Sequence, residues 1–415
     1  MTRGVALIAI VVLSAFLLFR GVIPGLARID TDFPNYYTAA RLLTNGAPTE
    51  RLYDDGWFQQ QIFDSGIQQQ GKFSPYPPIT ALVMVPFVFL GPLNALRAWT
   101  VLNLGCLILE IILLSRATGK SLDWSSLLIL ASGHALANNF RFGQFYLVLA
   151  VLVTSGYLLW QRHRAYATGA LFGTAAAIKY FPILFVILFL LRREWRPAVA
   201  QFSTIFLLSA LAVAVMGFRV HELFISTVLG KHLTGTIQDP FSPAFQSWNS
   251  LFRRLFVFDP VFNPSPFLRA PALFVILTVM VTTGVAALFV NGYRKAAFSF
   301  GPAASSIQFA FLNIAGLLLL PASATYHFLL LALPAAILLA FPEWSFEQVL
   351  VAGFYLAIGF LPYGALSRFQ DSGLLTVLAY PRLILMTGIF TATYIFIVNH
   401  RAPGPSFRFA VGTEK

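Results

Sequence analysis

Two acids in the stretch "RIDTDFPNYYTAARLL", Asp30 and Asp32, follow directly on the apolar run "GVALIAIVVLSAFLLF", in a chain with sixteen Asp and Glu residues among 415. A carboxylate at the aqueous end of a membrane segment can take a proton from an incoming hydroxyl, provided its own backbone holds it still. Asp32 also has a plainer reading. It stands where an N-cap would stand, with Pro34 in the first turn and Gly46 ending the helix. Both readings remain open, because a capping carboxylate is also a positioned one. The spacing of Phe33, Tyr36, Tyr37 and Ala40 predicts one aromatic face, suited to lying along a lipid surface.

Lys179 lies in "KYFP" between two short apolar segments, 166–178 and 181–191. An ionisable group there is expensive and marks function, unless it snorkels to the interface. As a point charge it could meet a phosphate. Gly143-Gln144 could bring backbone close to a ligand and offer an amide to a sugar hydroxyl, or could simply start a helix. "SWNSLFRRL" supplies Asn249, Arg253 and Arg254, whose guanidinium forks suit phosphate or, equally, anionic lipid head groups. Lys231 and His232 are secondary candidates. His327, in "SATYHFLLLALP", is expected to join helices by a hydrogen bond or to serve the site. Glu110 reads as structural, within reach of Arg116. "DTD" also matches the metal-binding Asp-x-Asp of nucleotide-sugar enzymes, but those sites sit in α/β domains. This chain has neither strand alternation nor a Gly-rich phosphate turn, and no His/Asp/Glu spacing builds a coordination set. Neither metal nor cofactor is expected.

The elements that must position these groups are membrane helices. The chain is 58% hydrophobic and 11% charged, with a mean hydropathy of +0.75, against roughly a quarter charged in soluble domains. Its apolar runs are continuous rather than alternating, which selects helices over a barrel. About thirteen candidate spans can be marked along the chain, the first read as a retained anchor rather than a cleaved signal. A net charge of +12 is a value also found in nucleic-acid-binding chains, but the basic residues fall in short loops, "QRHR" at 161–164, "RREWR" at 192–196 and "YRK" at 293–295, and in the tail. That is the positive-inside pattern, so no nucleic-acid partner is expected. For those loops to face inward, one early segment must fail to cross, and the short segment 125–138 reads best as re-entrant. About twelve crossing helices result. Two long polar loops, about 28–75 and 218–270, then lie outside, the first holding six of the sixteen acids. The lone Cys106 permits no internal disulfide and no thiolate metal cluster.

Taken in order, "DFPNYYTAARLLTNGAPTERLYD", "YPPITALVMVPF", the block from Gly143 to Pro182, "SWNSLFRRL" and "SATYHFLLLALPAAILL" resemble the family 87 glycosyltransferases. These are polyprenol-phosphate-mannose-dependent membrane mannosyltransferases of the glycosyltransferase-C superfamily. The resemblance implies one all-α polytopic domain over 1–415, with juxtamembrane helices in the two outer loops. It implies Asp32 as base, and Lys179, His327, Arg253 and Arg254 at a donor phosphate. Asp30, Tyr36, Gln144 and Asn249 become candidates for sugar or acceptor contacts, although Trp248 departs from the family pattern beside Asn249. The implied partners are a polyprenyl-phosphate sugar, a lipid or glycan acceptor and membrane lipids. The implied reaction is an inverting transfer at the outer face of the plasma membrane, which needs one carboxylate because phosphate leaves without a protonating acid. A transporter or flippase of lipid-linked sugars is the competing class. It predicts an internal repeat and mid-membrane charges, neither of which is visible. An inactive lipid-binding scaffold is a third.

Overall fold

The computed structural model describes residues 3–342 and 344–400. Among these residues the structure is helical and contains no strand beyond an isolated bridge between Asp259 and Asn263. Helices satisfy every backbone group within the segment, which the hydrocarbon interior demands. Among the described residues, six helices are long and apolar enough to cross a membrane: Arg3–Ala27, Pro92–Thr118, Trp195–Met216, Pro271–Ser299, Gly301–Leu318 and Pro381–Asn399. The chain is a multi-pass membrane protein. The number of full-length spans is half the dozen expected from apolar runs, because several runs are realised as shorter helices. Ile79–Leu90, Ala165–Ile178, Phe181–Leu191, Thr325–Leu339 and Phe346–Phe360 each fall below 18 residues, and His134–Arg141 meets Tyr146–Gln161 at a 119° bend.

The chain divides into two compact units, Met1–Leu113 with Leu136–Ile237, and Leu114–Ala135 with Gln238–Lys415. In the first unit, small residues let helix backbones touch where lipid supplies no hydrophobic drive. Gly21 and Gly25 lie against the backbone of Ala137 and Phe140, where an added Cβ would come within 2.9 and 2.8 Å. Gly169 and Gly173 do the same against Pro197 and Gln201 on the helix Trp195–Met216. Glu110 is fully buried and accepts a hydrogen bond from Thr154 Oγ1 at 2.7 Å, so its partner is this hydroxyl in the core and not Arg116.

Two interruptions shape this unit. The first is at "FGQF", where Gly143 has φ +61° and a Cβ would meet Phe33 Cδ2 at 2.8 Å and Phe33 Cβ at 2.9 Å. Only glycine offers both that conformation and that clearance. The bare Cα of Gly143 is therefore packed against Phe33. The second is at Lys179, whose extended backbone (φ −144°, ψ 131°) separates Ala165–Ile178 from the 3-10 turn Phe181–Phe185. The helix Phe33–Thr44 also departs from expectation. Phe33, Tyr36, Tyr37, Ala39 and Ala40 are all buried, so it is packed on all sides instead of lying along lipid.

The second unit packs Phe346–Phe360 against Pro381–Asn399. Ser345 and Gln348 form a reciprocal capping box at the start of the former helix. The buried Arg382 donates to Thr325 Oγ1 at 2.7 Å and to the carbonyls of Ile358 and Leu361. A charge so fully bonded serves as a structural clasp.

Candidate active site

Asp32 stands at the N-cap of the helix Phe33–Thr44, where its carbonyl accepts the Asn35 N–H at 3.0 Å, but its side chain does not do the capping. Its backbone sits at φ 69°, ψ −51°, and its side chain makes no capping bond. The Phe33 N–H donates instead to the Thr31 carbonyl at 2.9 Å, closing a three-residue γ-turn centred on Asp32. A non-glycine residue in such a conformation costs about 1–3 kcal/mol and persists only where its surroundings fix it. Those surroundings are identifiable. On the upstream side, Arg141 donates from Nε and lies in salt-bridge contact from Nη2 with Asp30 Oδ2, both at 2.7 Å, while Asp30 Oδ1 accepts the Thr31 N–H at 2.9 Å. On the downstream side stands the buried helix Phe33–Thr44, wedged by Phe33 against Gly143.

Facing this turn is Tyr76. Its hydroxyl lies 3.5 Å from Asp32 Oδ1 as donor, the long limit of a hydrogen bond, and accepts from Asn35 Nδ2 at 3.4 Å. Lys179 lies over the same ring, with Nζ 4.1 Å from the Tyr76 centroid and 5.4 and 5.7 Å from those of Tyr36 and Tyr146. Three aromatic faces thus cage the ammonium. Lys179 Nζ donates to Tyr36 Oη at 3.2 Å, and Tyr36 Oη in turn donates to Gln144 Oε1 at 2.8 Å. Lys179 and Asp32 also attract each other electrostatically. Four of the residues singled out by sequence, Asp32, Tyr36, Gln144 and Lys179, therefore form one connected constellation. Asp30 stands beside it, held by Arg141.

Two polar atoms in the constellation lack partners. Gln144 is wholly buried and its Nε2 has no hydrogen bond; nor has Asn35 Oδ1, which is packed on the bare Cα of Gly71. An unmade hydrogen bond at a buried group costs about 1–3 kcal/mol. A hydroxyl-bearing ligand would relieve the Gln144 penalty. Nearby, the His232 ring packs on Tyr180 at 4.3 Å between centroids, and its Nδ1 is without a partner. Burial, reinforced by the positive charge of Lys179, pushes this imidazole down to about 4.

Asn249, Arg253, Arg254 and His327 belong to the second unit. Arg254 is buried and donates to the carbonyls of Gln370 and Phe241 at 2.8 and 2.9 Å and to Asp371 Oδ1 at 2.6 Å, which fixes it within its own unit. Arg253 donates from Nε to Asn249 Oδ1 at 3.0 Å and lies 4.6 Å above the Phe274 ring. Asn249 Nδ2 reaches the Pro321 carbonyl at 3.4 Å. His327 Nδ1 is 3.1 Å from the Ala324 carbonyl. Among the described residues, no three His, Cys, Asp or Glu side chains gather as metal ligands.

Sequence reasoning missed Tyr76, Tyr146, Asn35 and Arg141. Arg141 carried a readable signal: it is a lone cation far from the basic loops and close to an isolated acidic pair. The aromatic residues carried none, since the chain has 14 tyrosines and only long-range folding selects Tyr76 and Tyr146.

A membrane-embedded helical protein that holds a strained carboxylate opposite a caged ammonium has the parts of a group-transfer site. The chain belongs to glycosyltransferase family 87, which it matches over residues 73–311. That region contains Tyr76, Gln144 and Lys179; Asp32 precedes it and His327 follows it. Among curated proteins, the chain is similar to two named polyprenol-phosphate-mannose-dependent alpha-(1-2)-phosphatidylinositol mannoside mannosyltransferase. The protein from Mycobacterium tuberculosis is 30% identical over 209 residues, 46% of each chain. That from Mycolicibacterium smegmatis is 28% identical over 228 residues, 50% of this chain and 49% of the relative. The chain spans about half the length of the curated relatives it matches. No solved structure matches it.

Proposed function

We propose that the chain transfers mannose from a polyprenyl-phosphate donor to a hydroxyl of a lipid or glycan acceptor, with inversion, at the extracytoplasmic face of the plasma membrane. The donor class is supported by the names of the two mannosyltransferase relatives. The observation that carries the chemistry is Asp32, held in a strained turn against Tyr76, over whose ring Lys179 lies.

Asp32 accepts the proton of the acceptor hydroxyl as its oxygen attacks the anomeric carbon. The new C–O bond forms on the face opposite the departing phosphate, whose C–O bond breaks with its electron pair. Polyprenyl phosphate leaves as an anion, and Lys179 stabilises the growing charge. The unpartnered Nε2 of Gln144 takes a sugar hydroxyl. Since phosphate leaves unprotonated, one carboxylate suffices. In this reading the six long helices, the bent pair and the shorter apolar helices together make a glycosyltransferase-C-type bundle of about twelve spans, acting as a single domain, with the loops 28–75 and 218–270 outside.

The test is turnover by the purified full chain, given polyprenyl-phosphate mannose and a phosphatidylinositol mannoside acceptor. Acceptor-dependent release of polyprenyl phosphate, with an α-linked product from a β-linked donor, is the expected result. Release with retained configuration would reject the single-displacement step, and no release would reject this donor and acceptor pair.

A further inference from the structure

The helix that ends at Lys179 begins, 14 residues earlier, at a cavity with no part in the transfer chemistry. At 1.5 Å per residue the two lie roughly 20 Å apart. The cavity has a volume of about 400 Å³, and Trp160, His163, Arg193, Glu194, Trp195 and Arg196 are among its lining residues. It gathers the two basic loops "QRHR" and "RREWR", on the side that the positive-inside rule assigns to the cytoplasm.

Three features make this more than a charged surface. First, the preceding helices end in matching reversals: Arg164 N–H donates to the Leu159 carbonyl at 2.9 Å and Glu194 N–H to the Phe189 carbonyl at 2.8 Å. His163 and Arg193 occupy the left-handed positions of these turns, φ 57° and 58°, which glycine normally fills. Second, the lining acid is already engaged. Glu194 accepts from Trp160 Nε1 at 2.6 Å and from Arg192 Nε at 2.8 Å, whereas among the described residues neither Arg193 nor Arg196 has an ion-pair partner. Third, Trp195 starts a stripe at helical spacing, Trp195, Val199, Phe202 and Phe206, which are 61, 58, 50 and 71% exposed. The stripe runs from the cavity mouth along the span Trp195–Met216.

We propose that this cavity binds the phosphate head group of an anionic phospholipid, with Arg193 and Arg196 on the phosphate and the acyl chains along the Trp195–Phe206 stripe. Arginine forks match phosphate oxygens, and basic pockets among membrane helices are suited to such head groups. A free phosphate would use the same cations but would leave the apolar stripe without purpose.

Binding is measured without reference to transfer, so its failure leaves the proposed activity untouched. The purified full chain is equilibrated in non-ionic detergent micelles containing equal phosphatidylglycerol and phosphatidylcholine, and retained lipid is read by native mass spectrometry. Wild type is expected to retain phosphatidylglycerol preferentially. The double variant R193Q/R196Q should bind it at least tenfold more weakly, and Arg196→Gln alone at least threefold. R294Q/K295Q, which removes the same charge from another basic loop, should bind as wild type. Equal loss in both double variants would overturn the site in favour of diffuse attraction. Displacement of the lipid by millimolar inorganic phosphate, with no lipid preference, would overturn the lipid assignment.

Discussion

At the scale of the residue, the candidate site lies where local rules are broken. Asp32 has the sequence context of an N-cap, yet it adopts a γ-turn, and the strain turns its carboxylate away from the helix end toward Tyr76. Lys179 shows the complementary case of a buried cation retained by aromatic faces and one tyrosine hydroxyl. Replacing it by Met keeps most of the volume and removes the charge. The apparent donor KM of Lys179→Met should rise about tenfold to a hundredfold, the size of one hydrogen bond to a charged group. An unchanged donor KM in steady-state transfer would exclude contact with the phosphate. His232 offers a test by pH. Its imidazole is lowered from the ordinary 6.5 to about 4, so the stability of its neutral form is complete above 6.5 and is lost as pH falls toward 4. Over that window the melting temperature of wild type should fall more steeply than that of His232→Gln; parallel curves would show that the ring is not held neutral by its surroundings.

At the scale of the element, the site depends on where helices stop. The breaks at Gly143 and Lys179 were legible from composition: a Gly-Gln pair between apolar runs, and a lysine with a proline between two segments too short to cross. The run boundaries around them also match the observed helices closely, as in Ala165–Ile178 and Trp195–Met216. What could not be read was the burial of Phe33–Thr44. Its aromatic spacing suits lipid or core equally, and tertiary packing alone decides between them. Nor could the number of full spans be read, since apolarity reports burial in lipid and burial in protein alike. Gly143 joins the two levels, for its bare Cα seats Phe33 one residue from Asp32. Gly143→Ala should lower stability by about 1–3 kcal/mol through overpacking. It should also slow transfer more than tenfold as the turn shifts, measured by thermal melting and turnover. Wild-type values in both would show that Phe33 does not set the turn.

At the scale of the whole molecule, a hydrophobic chain with short basic loops and two long polar ones offers chemistry the helix bundle and those long loops. The family match covers Tyr76 and Lys179 of the Asp32–Tyr76–Lys179 constellation, on which the proposed transfer rests. "SWNSLFRRL" has the types that bind phosphate, but Arg254 is engaged by Asp371 and two carbonyls, bonds that no local pattern reveals. The most direct measurement is mannosyl transfer by Asp32→Asn in proteoliposomes, beside wild type, with donor binding followed in parallel. The substitution preserves shape and removes the base, so transfer should fall by a factor of about 100 to 10,000 while donor affinity stays within about threefold. Transfer at the wild-type rate would contradict the assignment of Asp32 as the base.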